Sequence, residues 1–148
     1  MLFRSELIKN AGERMALQAE RAGLSFSYDC DEQLPNIFID APRLERVLVN
    51  LLHNAIKFTN PGGIVELKAS RKDNDIIFSI RDTGIGITPR DLERIFERFF
   101  KADRSRSDRG TGLGLSIARH LVEAHNGRIW AESEPNQGST FYFSIPIY

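Results

Sequence analysis

The chain has little of what would staple, charge or embed it. Its 148 residues include one cysteine, one tryptophan and two methionines. With Cys30 alone, a disulfide framework and a multi-cysteine zinc site are both excluded. Surplus charge is also missing, because 20 Lys and Arg are balanced by 20 Asp and Glu. Affinity for a phosphate backbone comes from basic excess, so a general nucleic-acid binder is excluded as well. No apolar run approaches the roughly 18 residues that span a bilayer, and no membrane contact by this domain is expected. The stretch MLFRSELIKN is mixed polar rather than a basic stub leading into an apolar run. A secretory signal is therefore not expected, and the expected location is cytoplasmic. What is present is 41% hydrophobic and 27% charged, the balance of a soluble globular domain long enough to bury its own core.

Periodicity divides the chain into alternating elements. From Phe3 to Ala22 apolar residues recur at loose helical spacing and stop at Gly23. Leu24, Phe26 and Tyr28 then alternate with polar residues as in a strand, and Ile37–Ile39 is expected to pair nearby. Leu44, Val47, Leu48, Leu51, Leu52, Ala55 and Ile56 form the clearest helical face, and Asn60-Pro61-Gly62-Gly63 ends it. Val65, Leu67 and Ala69, followed by Ile76, Phe78 and Ile80, predict a hairpin turning at Lys72 to Asp75. Thr88-Pro89-Arg90-Asp91 carries the cap, the first-turn proline and the acid of a helix start. From Lys101 to Thr111 the periodicity disappears, predicting a mobile loop of about ten residues. A helix from Leu113 to about Ala124 and two closing strands complete an α+β sandwich. Its expected form is a mixed sheet of about five strands, covered on one face by about three helices.

Three constellations could carry chemistry. Asn50, Asn54 and Lys57 are spaced i, i+4, i+7 and share a stripe about 60° wide beside the apolar face. Two amides and an ammonium in one row could hold a hydrated cation beside an anion, or simply form a solvated edge. Asp82-Thr83-Gly84-Ile85-Gly86-Ile87 follows a strand. Glycines there allow a sharp turn or the close approach of a flat ligand. The Asp82 carboxylate only accepts hydrogen bonds, which suits an exocyclic amine; the same residues could form an Asx turn. Gly110-Thr111-Gly112-Leu113-Gly114-Leu115 precedes a helix, where backbone N–H groups and the helix dipole make a phosphate cradle or a hinge. Its spacing is not G-x-G-x-x-G, and no G-K-[ST] or G-x-S-x-G occurs, so Rossmann, Walker, eukaryotic-kinase and hydrolase patterns do not fit. His53, His120 and His125 lack metal-ligand partnering. Phe96, Phe99 and Phe100 form an aromatic cluster, either a core plug or an anchor for the loop.

Taken in order, these segments resemble the ATP-binding domain of sensor histidine kinases. Leu44 to Thr59 is similar to the N box of that family and Asp82-Thr-Gly-Ile-Gly86 to its first glycine box. Phe96-Glu-Arg-Phe-Phe100 is similar to the F box, and Gly110-Thr-Gly-Leu-Gly114 to the second glycine box. Gly127-Arg-Ile-Trp-Ala-Glu-Ser133 and Gly138-Ser-Thr-Phe141 extend the likeness, which covers about Ser25 to Pro146. The resemblance implies the fold shared with gyrase, MutL and the heat-shock chaperones (the Bergerat type), with ATP beneath a mobile lid. It implies Asn54 as ligand to Mg²⁺ with Asn50 beside it, Lys57 on a phosphate oxygen, and Phe58 lining the ribose or adenine side. Asp82 would accept the adenine amino group, with Gly84, Gly86 and Ile87 shaping the pocket. The amides of the segment Gly110, Thr111, Gly112, Leu113, Gly114 and Leu115 would cradle phosphates, and Ser139 or Thr140 would reach the adenine end.

The family's phosphoacceptor histidine is followed by an acid on an upstream dimerisation helix, and none of the three histidines here is followed by Asp or Glu. Residues 1–23 are accordingly expected to be a connecting helix and 24–148 the ATP-binding domain of a longer kinase. The implied partners are ATP, a histidine-bearing dimerisation domain and a response regulator. Hydrolysing relatives and the anti-sigma-factor serine kinases carry Glu where this chain has Asn50, and Asn50 cannot take a proton. Chemistry would then rest on Asn50, Asn54, Lys57, Arg98 and Lys101. The alternatives are a stand-alone serine kinase of the anti-sigma-factor type and a non-catalytic nucleotide-sensing or docking module. Between Arg94 and Arg109, six basic residues face three acids, a local excess that could draw in a triphosphate despite the neutral whole.

Overall fold

A computed structural model of the chain describes residues 5–31, 33–101 and 114–147. Within them the order is α1 (Ser5–Arg21), β1 (Ser25–Cys30), α2 (Ala41–Lys57), β2 (Ile64–Lys72), β3 (Asp75–Asp82), α3 (Pro89–Leu92), α4 (Gly114–Ala124), β4 (Arg128–Glu134) and β5 (Gly138–Pro146). The strands form one five-stranded sheet in the order β1-β2-β3-β5-β4. β1 runs parallel to β2, while the β2–β3, β3–β5 and β4–β5 pairs are antiparallel. The sheet is therefore mixed, its one parallel pair bridged by the α2 crossover that parallel neighbours require.

Strand alternation puts Val65, Leu67, Ala69, Ile76, Phe78, Ile80, Phe141, Phe143 and Ile145 on one face, and all of them are buried. Phe78 and Phe143 stack across the β3–β5 pair with centroids 4.5 Å apart. α1, α2 and α4 cover this face: α1 packs on β1, α2 on β2 and β3, and α4 on β4 and α2. The expected two-layer α+β sandwich is thus the observed fold. Leu7, Ile8, Ala11, Met15 and Ala19 of α1 lie in the same core cluster as α2 and the sheet, so the helix expected to be a connector shares the core of the rest.

α2 starts where Asp40 caps it, its side chain accepting the Arg43 N–H at 3.2 Å, with Pro42 in the first turn, where a missing N–H costs nothing. His125 at the end of α4 joins the two helices. Its Nδ1 lies 2.8 Å from the Leu121 carbonyl, which can only accept, and its Nε2 accepts the Asp40 N–H at 3.1 Å. Two expectations differ in extent. Ile37–Ile39 forms no strand, only a single bridge at Phe38. The helix capped by Thr88 lasts four residues before the chain passes into turns. The loop expected from Lys101 to Thr111 falls, beyond Lys101, outside the described residues.

The opposite sheet face carries Trp130 and Tyr142, stacked at 5.3 Å. Burial, and then the hydrogen bond and negative charge of Glu132, push the Tyr142 phenol above its ordinary value of 10.0. The phenolate is thus disfavoured in the folded state relative to the unfolded chain. Stability should be unaffected by this group below pH 10 and decline as pH rises through that value, and Tyr142→Phe should lessen the decline in urea midpoints measured from pH 9 to 11. Leu48 is fully buried, and Leu48→Ala should cost about 2–5 kcal/mol in the same unfolding measurement.

Candidate functional site

The site is assembled where the second half of α2, the end of β3 and the start of α4 meet. Burial of Leu44, Val47, Leu48, Leu51, Leu52, Ala55 and Ile56 fixes the rotation of α2. That rotation leaves Asn50 and Asn54 half-buried at the border of the apolar face, with Lys57 exposed one turn on. Asn50 Nδ2 donates to the Gly114 carbonyl at 3.3 Å, tying the polar row to the first residue of α4. The Lys57 ammonium lies 5.3 Å from the centre of the half-buried Phe58 ring.

Asp82, 3% exposed, is the one acidic or basic residue among the buried described residues. Its Oδ1 accepts the Gly84 N–H at 2.9 Å and the Ser139 N–H at 3.2 Å. Backbone donors thus stabilise a carboxylate that would otherwise be costly to bury. The turn after it is pressed against α2 and the β4–β5 turn. A side chain at Gly84 would collide with the Phe58 carbonyl, which accepts the Ile85 N–H at 3.1 Å. Gly86 has φ +72, and a Cβ there would collide with the Glu134 carbonyl. Space thus requires glycine at position 84, and both conformation and space require it at position 86. Ile85 O accepts the Asn136 N–H at 2.7 Å, and the N–H of buried Ile87 donates to Ser133 Oγ at 2.7 Å.

Of the two hydroxyls expected at the adenine end, the fold brings only one to Asp82. Ser139 pairs with Asp82 across β5–β3 on the helix-covered face and is 3% exposed. Thr140, one residue on, faces the other side of the sheet, the side that carries Tyr142. The period of two along a strand separates the two alternatives onto opposite faces. Ser133 and Asn136 were not singled out as site residues. The signal available was the same alternation, which sets Ser133 opposite Ser139 in the register.

The aromatic cluster divides. Phe96 packs edge-on to Phe141 at 6.1 Å and Phe100 is half-buried, whereas Phe99 is 63% exposed. The Arg98 guanidinium lies over the Phe99 ring at 5.3 Å. Arg98 also lines a surface cleft with Phe96, Glu97, Ser116, Arg119, His120 and Glu123. The structure therefore groups it with α4 side chains rather than with Asp82. Lys101 is half-buried. Gly110, Thr111, Gly112 and Leu113 lie outside the described residues. Gly114 opens α4, and Leu115 packs against the core.

A buried acceptor thus lies at one end of the site, and a row of amides and an ammonium at the other. Among the described residues, no group of three or more His, Cys, Asp and Glu could hold a metal ion. A hard cation here would take amide oxygens such as that of Asn54, with its remaining ligands from water and a bound anion. That donor set suits Mg²⁺.

The fold and the ordered motifs have counterparts among known proteins. The family described as histidine kinase-, DNA gyrase B- and HSP90-like ATPase matches residues 39–148. The adaptive-response sensory kinase SasA of Synechococcus elongatus is 46% identical over 121 residues, 81% of this chain and 31% of that protein. The catalytic domain of the histidine kinase ThkA superposes with a TM-score of 0.87 at 31% identity, covering 99% of this chain and 95% of that one. ThkA has also been solved in complex with the response regulator TrrA, at TM-score 0.82 and 28% identity over 100% of this chain and 42% of that one. Full-length ShkA in complex with AMPPNP gives 0.89 at 36% identity, over 99% of this chain and 31% of that one. The chain spans about a third of the length of the curated relatives it matches. With four motifs in order, the sheet topology and the family match over residues 39–148 all in agreement, the chain belongs to the histidine kinase-, DNA gyrase B- and HSP90-like ATPase family, as an ATP-binding domain of the histidine-kinase type.

Proposed function

We propose that this domain binds Mg·ATP and presents the γ-phosphate to a histidine on a separate dimerisation domain, from which a response regulator takes it. The observation that carries this reading is the amide-held Asp82 carboxylate, buried at the end of β3 and joined to α2 through the bond between Ile85 N–H and the Phe58 carbonyl. It combines an acceptor for an exocyclic amine with the polar row of Asn50, Asn54 and Lys57 on the adjoining helix. Asp82 would take the adenine amino group, with Gly84 and Gly86 shaping the pocket by letting the turn close against Phe58 and Glu134. Asn54, with Asn50 beside it, would hold Mg²⁺, which when bound offsets triphosphate charge. Lys57 would meet a phosphate oxygen. The segment from Gly110 to Leu115 would supply amides to the phosphates, and Arg98 and Lys101 positive charge beside it.

Catalysis by such a domain is positioning together with charge stabilisation. Asn50 accepts no proton, so the group that deprotonates the nucleophile belongs to the partner. Asn50 instead secures α4 through the Gly114 carbonyl. The complex of ThkA with the response regulator TrrA supports a regulator as a partner of the longer protein, and we place that protein's kinase region in the cytoplasm. No helix among the described residues is long and apolar enough to cross a membrane.

Asp82→Asn should weaken ATP binding about tenfold to a hundredfold by calorimetry, the worth of a hydrogen bond to a charged acceptor. Its circular dichroism should match the parent chain, because the amide oxygen can still accept the Gly84 and Ser139 N–H groups. Unchanged ATP affinity would remove the adenine assignment. Incubated alone with labelled ATP, the chain should release little phosphate. Adding a histidine-bearing dimerisation domain should produce an acid-labile, alkali-stable phosphoprotein. An acid-stable phosphate would identify a serine kinase, steady phosphate release a hydrolase, and binding without any transfer a sensing or docking module.

A further inference from the structure

Ser133 on β4 is the hub of a hydrogen-bond chain that ends beside Asp82. Its Oγ lies 2.7 Å from the Ile87 nitrogen, 3.0 Å from the Gly138 carbonyl oxygen and 2.7 Å from Ser139 Oγ. A hydroxyl has one proton and two lone pairs, and these three neighbours use all of them. The Gly138 carbonyl can only accept, so it takes the Ser133 proton. The Ile87 N–H can only donate, so it occupies one lone pair. The remaining lone pair faces Ser139 Oγ, so the arrangement that satisfies all three neighbours has Ser139 donating its own proton to Ser133. In that arrangement the Ser139 proton is engaged by Ser133 and is withheld from any other acceptor.

We infer that Ser133 is a positioning residue for nucleobase selection. By holding the Ser139 proton, it makes the buried wall formed by Asp82 and Ser139 acceptor-only. Both residues are 3% exposed, so water cannot cheaply reverse their polarity. An amino group at the purine 6-position meets lone pairs there, whereas a carbonyl oxygen at that position meets acceptor against acceptor. Asp82 supplies the charge, and Ser133 removes the alternative in which Ser139 rotates to donate to a carbonyl. Ser133 touches no part of a bound nucleotide in this scheme and acts through Ser139. The inference rests on the proposed ATP site and deepens it by naming what enforces the choice of base.

The test compares the affinities of ATP and inosine triphosphate, which carries a carbonyl oxygen in place of the adenine amino group and a proton on the adjacent ring nitrogen, by calorimetry on the whole chain, and the readout is how each variant changes the ratio of the two. The parent should prefer ATP strongly. Ser133→Ala releases the Ser139 proton, so the preference should fall about tenfold, mostly through tighter inosine triphosphate binding. Ser133→Thr keeps the hydroxyl and should retain the preference within about twofold. If Ser133→Ala weakens both nucleotides by one common factor, Ser133 only braces the Ile87 turn and the inference is overturned. If Ser133→Ala does not fold, Ser139→Ala decides. It removes the rejecting acceptor and should also lower the preference, and an unchanged ratio overturns the inference. A parent chain that binds neither nucleotide would overturn the ATP site itself, an outcome distinct from a bound ATP whose selectivity ignores Ser133.

Discussion

The buried face of α2 is the contact on which the site depends. Seven apolar side chains between Leu44 and Ile56 lock this helix against the sheet and against α1 and α4. A helix held along one stripe cannot rotate about its axis without exposing that stripe, and each side chain exposed would cost about 1.5–3 kcal/mol. Asn50, Asn54 and Lys57 therefore keep a fixed azimuth at the edge of the core. The cap by Asp40 and the bond from its N–H to His125 set where the helix starts, and so the height of the row along it. A ligand-binding row on a packed helix is held more exactly than one on a loop, because core packing determines its rotamers and its direction.

The end of β3 applies the same logic with backbone groups. Burying a carboxylate is costly unless donors meet it, and the Gly84 and Ser139 amides do so. The Gly84 amide reaches Asp82 because the chain doubles back tightly after it, against the Phe58 carbonyl and the β4–β5 turn, and the Ser139 amide reaches it across the β3–β5 register. The glycines, the buried acid and the neighbouring strand thus form one mutually dependent unit. Ser133 extends the unit to the edge strand, where a single hydroxyl satisfies three partners at once. Of the aromatic cluster, Phe96 serves the core through Phe141, while Phe99 stays at the surface beneath Arg98.

Much of the fold was legible because its signals are local. The α2 stripe, the alternation in β2, β3 and β5, and the Thr88-Pro89 cap each encode their element within a few residues. The Ile37–Ile39 run was misleading because a three-residue apolar segment buries side chains equally well in irregular backbone: Ile37 and Ile39 are buried while Phe38 is 80% exposed. The packing of α1 into the common core was not legible, since a loose apolar stripe says that a partner exists without saying which one. Thr140 was grouped with Ser139 because adjacent residues look equivalent until a register assigns them opposite faces.

The sequence by itself determined which residues are apolar, at what period they recur and which segments can turn. It thereby set the element order, the composition of the site and the family likeness carried by four ordered motifs. Tertiary structure decided which of those residues meet. It set Ser139 rather than Thr140 beside Asp82, linked Asn50 to the start of α4, and made Ser133 the acceptor that fixes a neighbouring hydroxyl. The physical reason lies in range. Propensity and periodicity act over a few residues along the chain, whereas hydrogen-bond direction and burial are settled by groups dozens of positions apart, after the sheet has chosen its register.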